Sequence, residues 1–431
     1  MIKGRVDIIS LGCYKNLVDS EQLMARFKSC GYDVQHDSHD VKGEIVVVNT
    51  CGFIGDAKEE SIEMILQLAE AKLEGKISKL FVMGCLSERY LSDLKIEIPE
   101  VDAFYGKFNW SQLISDLGHN VDDSALEDRV LTTPSHYAYV KIAEGCNRTC
   151  SYCAIPIITG KHKSRTIESI EKEVEALAKS GVKEFQLIAQ DLTFYGIDLY
   201  KKNTLPQLVD RLAKIEGVQW LRLHYAYPAH FPFELLTVMR ENDNVCAYLD
   251  IALQHISDNM LTAMRRNVSK ADTYELIKRM RAEVPNIHIR TTLLVGHPNE
   301  TDADFEELKQ FVKDIEFDRM GVFPYSNEEG TYAYLHYDDN VPEEVKRQRV
   351  DELMQLQQGV SERLNSRKVG QVMKVIVDRE EADYYVARTE FDSPEVDGEV
   401  YINKNEVLQI GDFYDVKITD ADLYDLYAEV V

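Results

Sequence analysis

The sequence predicts an α/β protein in three domains: an N-terminal parallel α/β sheet domain, a central (β/α) barrel of about six units, and a small antiparallel β-barrel at the C-terminus. Three observations predict this. Apolar strand-like runs alternate with helix-period stretches from Val6 to about Phe323, as expected of strands and helices layered around a parallel sheet. After Gly370 the pattern changes to short alternating strands without helices. The chain has 431 residues, 45% of them apolar, enough for two or three hydrophobic cores.

Near the N-terminus a single pattern occurs three times: an apolar run, a turn holding Gly and Cys, then a helical stretch. The runs are Val6 to Ser10 before Gly12-Cys13, Ile45 to Val48 before Cys51-Gly52, and Leu80 to Met83 before Gly84-Cys85. The clearest helix is Ala57 to Leu73. All three cysteines are therefore expected at carboxyl ends of strands, the edge where open α/β sheets bind ligands. Residues 1–118 are read as this domain and 119–135, polar and holding Pro134, as a linker.

The second series has apolar runs at Tyr137 to Ile142, Phe185 to Ala189, Trp220 to Leu223, Tyr248 to Leu253, Ile287 to Val295 and Met320 to Phe323. Helical segments such as Glu168 to Lys179 and Asp302 to Lys313 separate them, and Pro342 opens a long charged helix. This domain is placed at 136–363, its site at the strand C-terminal ends. Residues 364–431 hold VMKVIVD, YYVARTE, GEVYIN and FYDVKITD, the strands of the small barrel.

Lys and Arg number 49 against 74 Asp and Glu, a net charge of −25. Such a surface repels the phosphate backbone, so nucleic acid is not expected as the primary substrate. Residues 364–431 alone carry seven Lys and Arg against 16 Asp and Glu, about −9. With no apolar run long enough for a bilayer and no signal core in MIKGRVDIIS, the expectation is a cytoplasmic protein without a membrane partner.

Eight cysteines in such a chain point to metal ligands or buried thiols rather than disulfides. Cys146, Cys150 and Cys153 are spaced C-x3-C-x2-C just beyond the first strand of the second series. A loop of this kind can wrap three thiolates around a 4Fe-4S cluster and leave the fourth iron open. The alternative is a structural zinc ion with His162 as fourth ligand. Cys13, Cys51 and Cys85 share no short motif; their equivalent positions, each beside a glycine, make them a candidate second triad. Cys30 and Cys246 are expected as packed thiols, the latter just before a strand.

The spacing of the loop, with Tyr152 before its third cysteine, resembles the radical S-adenosylmethionine superfamily. Within it, Ser10-Leu11-Gly12-Cys13 with Lys15-Asn16 and Val18-Asp19-Ser20-Glu21, then Val48-Asn49-Thr50-Cys51-Gly52-Phe53-Ile54, Gly84-Cys85 and Cys146-Cys150-Cys153 resemble the methylthiotransferases over essentially the full length, the last domain being of the TRAM type. The resemblance implies two 4Fe-4S clusters. One, on Cys146, Cys150 and Cys153, would bind S-adenosyl-L-methionine and cleave it to a 5′-deoxyadenosyl radical; an auxiliary one, on Cys13, Cys51 and Cys85, would carry sulfur or methylsulfur. Two S-adenosylmethionine molecules, a low-potential electron donor and a sulfur donor are implied.

The segments SLGCYKNLVDSE, NTCGFI and YSNEEGT resemble the branch that methylthiolates the β-carbon of an aspartate in small-subunit ribosomal protein S-twelve. The acidic C-terminal domain suits a basic ribosomal protein. The rivals are a transfer RNA adenosine methylthiotransferase, which should present a basic C-terminal face, and a non-catalytic iron-sulfur protein that binds nucleic acid. Gln190-Asp191, Gln254-His255, Arg290-Thr291-Thr292, Gly296 and Tyr325 are expected at or beyond strand ends, with Gln190 and Arg290 as polar contacts to the methionine part of the cofactor. Asn299 stands in LVGHPNET where the family is expected to have glycine, so the turn after Gly296 is expected to differ slightly.

Overall fold

The computed structural model describes residues 4–38, 41–120 and 129–431. The chain divides into two compact units. The first runs to Thr132 and also takes in Glu144–Arg148 and Cys153–His162; the second holds Thr133–Ala143, Thr149–Tyr152 and Lys163–Val431. Part of the linker expected at 119–135, residues 121–128, lies outside the described residues.

The first unit is built on a parallel five-stranded sheet ordered β2-β1-β3-β4-β5. Its strands are β1 (Arg5–Ser10), β2 (Asp33–His36), β3 (Ile45–Thr50), β4 (Lys79–Gly84) and β5 (Ala103–Phe104). Every residue of β3 is buried, as the centre of a sheet covered on both faces requires. One face packs Ile65 and Leu68 of the helix Gly55–Leu73 against Val46, Val48, Leu80 and Val82. The other packs Leu23, Met24 and Phe27 of the helix Tyr14–Ser29 against Val6, Ile8 and Val47. β2 and β5 escape the sequence pattern because one is polar and the other has two residues.

The chain beyond residue 128 returns to this unit: Arg129 and Thr132 both bond the carboxylate of Glu21, which is fully buried. Those linker residues are thus part of its packing.

In the second unit six strands form a parallel sheet in sequential order: β6 (Tyr137–Lys141), β7 (Glu184–Ile188), β8 (Trp220–Ala226), β9 (Val245–Gln254), β10 (His288–Val295) and β11 (Arg319–Pro324). β9 begins at Val245, so Cys246 lies inside the strand, buried with Trp220 and Tyr248. The helix Glu343–Ser366 follows Pro342 and contacts β11.

The last strands, β12 (Val372–Glu380), β13 (Tyr384–Thr389), β14 (Val400–Asn403), β15 (Phe413–Ala421) and β16 (Leu426–Val430), close into a barrel. Four of its pairings are antiparallel; β14 and β16 close it in parallel. The barrel seats against the starts of the six core strands through buried charge. Glu184, fully buried at the head of β7, is held by Arg222 of β8 (3.0 Å) and Arg388 of β13 (2.7 Å). Arg388 in turn grips Asp378 at 2.5 Å, and Asp378 takes a bond from His136 at 2.8 Å. Buried carboxylates so surrounded stay ionised: burial disfavours the charge, but the guanidiniums outweigh it, and Asp378 is held down at about 2.

Candidate functional site

Each cysteine of the first triad follows a strand of the first unit. Cys13 caps the helix Tyr14–Ser29 three residues after β1, Cys51 follows β3 directly, and Cys85 follows β4 and opens the helix Cys85–Glu97. Glycines interlock the three turns. A Cβ on Gly12 (φ +89°) would lie 2.9 Å from Cys51 Sγ, and one on Gly52 would lie 2.7 Å from the Cys85 carbonyl carbon. Gly84 has φ +103°, and its missing side chain would fall 2.5 Å from Asn49 Oδ1 and from the Thr50 carbonyl.

Asn16, one turn into the first helix, ties these turns together. Its amide nitrogen donates to the carbonyls of Leu11 (3.1 Å) and Thr50 (2.9 Å), and its Oδ1 faces Cys85 Sγ at 3.6 Å. Asn49 donates to the Asn16 carbonyl at 2.9 Å, and Ser61 bonds both the amide and the carbonyl of Cys51. The backbone that carries the thiols is thereby fixed before any metal is added.

A buried cation lies beside the triad. Lys107 is 4% exposed, with Nζ 3.7 Å from Asp19 Oδ2 and 3.2 Å from Glu144 Oε1. Its burial disfavours the charge, yet those carboxylates hold it protonated above the ordinary lysine range. Its field reaches all three thiols. Crowding raises Cys13, but Lys15 and Lys107 outweigh it and hold that thiol below its usual value. Burial pushes Cys51 upward and Cys85 to about 12, the charges of the neighbouring cysteines adding to both and Lys107 opposing. Mutual repulsion of three nearby thiolates favours a cationic metal centre that takes them as ligands and releases their protons.

The second triad sits on one loop. Cys146 donates its amide to the Gly160 carbonyl at 3.1 Å, and its sulfur accepts from the Arg148 amide at 3.4 Å. Gly145, at φ +78°, lies where a Cβ would strike the Lys161 carbonyl. Ala154 and Ile158, just past Cys153, pack with Cys85. In the second unit, Arg266 Nη1 stands 3.4 Å from Cys150 Sγ and 3.2 Å from the Tyr152 hydroxyl.

Ser151 donates to His297 Nε2 at 2.9 Å. His297 Nδ1 gives its proton to the Pro298 carbonyl at 3.0 Å, so the ring is neutral with Nε2 as acceptor. Burial depresses this imidazole to about 4. Among the described residues no three His, Cys, Asp or Glu side chains converge on a single ion. A cuboidal cluster instead takes one thiolate at each of three separate irons, a wider set of positions than the tetrahedron of a lone zinc ion. His162 donates its amide to Asn147 Oδ1 at 3.1 Å, which closes the loop on itself.

The remaining candidates divide. Gln190 follows β7 by two residues and Gln254 ends β9, both at carboxyl ends. Arg290 does not: it is the third residue of β10, near the strand's beginning, with its guanidinium on Asp250 (3.5 Å) and on Asp397 of the barrel (3.3 Å). Thr291 bonds the Ile251 carbonyl within the sheet. The expectation that Arg290-Thr291-Thr292 lies at or beyond a strand end is corrected: the three lie inside β10, where Arg290 serves the seat of the barrel and Thr291 bonds within the sheet. His255 is buried on Glu300, the Gly296 amide bonds the same carboxylate, and Tyr325 packs edge-on against His297. Asn299 has φ +69°, the left-handed conformation a glycine would take, and exchanges bonds with Asn340.

Sequence reasoning does not single out Asn16, Lys107 or Arg266 as functional. Asn16 lies within a recognisable motif, but its role depends on Thr50 and Cys85, 34 and 69 residues away.

The TRAM domain family matches residues 369–431, the Radical SAM superfamily residues 140–312, and an uncharacterized family, UPF0004, residues 5–106. Relatives called ribosomal protein uS12 methylthiotransferase RimO are 66% identical in Parabacteroides distasonis (100% of both chains covered) and 64% in Bacteroides thetaiotaomicron (100% and 99%). One in Flavobacterium johnsoniae is 51% identical (99% and 98%). Among solved structures, the radical S-adenosylmethionine methyltransferase TsrM of Kitasatospora setae shares the fold at TM-score 0.55 and 14% identity, covering 75% of this chain and 72% of that one. The cobalamin-dependent radical enzyme OxsB does so at 0.52 and 12%, covering 81% and 56%. With two cysteine triads in place and full-length identity above 60%, the chain belongs to the radical S-adenosylmethionine methylthiotransferases, in the ribosomal protein uS12 methylthiotransferase family.

Proposed function

We propose that this enzyme adds a methylthio group to the β-carbon of an aspartate in ribosomal protein S-twelve (uS12), using two S-adenosylmethionine molecules and two 4Fe-4S clusters. The observation that carries the reading is the presence of two separately built cysteine triads, Cys13, Cys51 and Cys85 on one sheet edge and Cys146, Cys150 and Cys153 on one loop. When bound, the loop cluster supplies the electron that splits the sulfonium bond, and the other holds the sulfur to be transferred.

The chain's own residues hold and orient. Gly12, Gly52, Gly84 and Asn16 fix the first thiols, Lys107 offsets their charge, and Arg266 and His297 hold the loop. Gln190, beyond β7, and Tyr152 are proposed as contacts of the methionine part of the cofactor. Residues 1–118 would carry the sulfur, 136–363 the cleavage, and 364–431, with a charge of about −9, the attraction of a basic protein. A low-potential electron donor and a sulfur donor complete the system in the cytoplasm. No helix among the described residues is long and apolar enough to cross a membrane.

The test is mass spectrometry of ribosomal proteins and transfer RNA from cells with and without the gene. The expected result is loss of a methylthio mass from an aspartate-containing peptide of uS12 with transfer RNA unchanged. Loss of a modified nucleoside instead would overturn the substrate.

A further inference from the structure

Arg266 is 2% exposed and places a permanent positive charge against a cysteine sulfur. Its Nη1 lies between Cys150 Sγ (3.4 Å) and the Tyr152 hydroxyl (3.2 Å), while Nη2 donates to the Ala252 carbonyl. The guanidinium lies 4.1 Å over the Tyr227 ring. The hydroxyl of Tyr227 donates to the Arg266 carbonyl (2.8 Å) and stands 3.7 Å from Cys150 Sγ. The fork is therefore clamped on a ring, a carbonyl and a sulfur at once, a geometry that a lysine cannot reproduce.

We propose that Arg266 is a positioning residue that fixes Cys150 as a ligand and sets the reduction potential of the loop cluster through a charge-assisted bond to its sulfur. Potentials of such clusters follow their net charge and the hydrogen bonds to their sulfurs. Reduction adds one negative charge to the cluster. A buried cation, poorly screened by salt, stabilises that state more than the oxidised one. Nη1 carries two hydrogens, one for Cys150 Sγ and one for the Tyr152 hydroxyl, so Tyr152 helps to aim the group at the sulfur.

The inference rests on Cys146, Cys150 and Cys153 being cluster ligands. The full chain with Cys13, Cys51 and Cys85 all changed to Ala, reconstituted anaerobically, isolates the loop cluster. Iron content and a redox titration followed by electron paramagnetic resonance, both without S-adenosylmethionine, give the readout. Arg266→Gln is expected to move the midpoint to more negative values, Arg266→Lys, which keeps the charge without the fork, by less, and Tyr152→Phe, which keeps the charge and loosens its aim, by least and in the same direction. Should Arg266→Gln fail to hold iron, Arg266→Lys decides: a midpoint at or above the parent value overturns the inference. Iron retained with all midpoints at the parent value overturns the inference. No iron in the parent overturns the ligand assignment itself.

Discussion

The two triads reach similar chemistry by opposite constructions. Cys146, Cys150 and Cys153 come from one short loop, so their spacing is local and is closed by bonds such as His162 to Asn147. Cys13, Cys51 and Cys85 come from three turns that meet only when β1, β3 and β4 are paired and both helical faces are covered. The sheet-edge site inherits the cooperativity of its sheet; the loop site depends on a few contacts, chiefly Arg266 and His297. A ligand set that is dispersed in sequence has to be held by backbone locks, and these are the positive-φ glycines and Asn16.

The sharpest test separates the triads by function. Changing Cys13, Cys51 or Cys85 to Ala is expected to abolish methylthiolation while leaving reductive cleavage of S-adenosylmethionine to 5′-deoxyadenosine, and changing any of the loop cysteines to abolish both. Iron should fall from about eight to about four per chain in each set. Cleavage lost in the first set would break the comparison.

Gly84→Ala comes next. It forces a side chain into φ +103° against Asn49 and Thr50, which should cost roughly 3 kcal/mol or more and remove the iron of the sheet-edge site alone. Denaturant titration and iron analysis check both effects. Asn16→Ala leaves the Leu11 and Thr50 carbonyls without that donor, for about 2 kcal/mol, with the same selectivity for iron.

A further effect belongs to pH. His297 is depressed to about 4 in the fold against 6.5 when unfolded, so its contribution to stability is complete above 6.5. As pH falls from there toward 4, the unfolded chain takes up a proton that the folded ring refuses, and up to about 1.4 kcal/mol is lost per pH unit. His297→Gln should flatten that slope in denaturation measured across the window.

Much of this architecture is readable in sequence because parallel strands are apolar throughout and their turns carry Gly and Cys. β2 and β5 are not, being polar or short at the two edges of their sheet. Arg290 lies inside the apolar run Ile287 to Val295, and its charge answers Asp397 of the C-terminal barrel, a partner that the run does not reveal. The loop cysteines announce themselves by spacing. Lys107 and Arg266 do not, since a cation's role depends on which carboxylate, ring or sulfur the fold brings beside it.

The seat of the C-terminal barrel bears on the order in which the chain matures during synthesis. Arg222 and Arg319, at the heads of β8 and β11, reach the Glu390 carbonyl and Asp392, and Glu184 takes its second guanidinium from Arg388. Until the ribosome has delivered residue 392, Arg319 lacks Asp392 and Glu184 has only Arg222 of its two guanidiniums, and burying charge so under-compensated is costly. The core therefore completes its fold only as the last sixth of the chain emerges, and a chain cut at the end of the helix Glu343–Ser366 would be left with an open, charged rim.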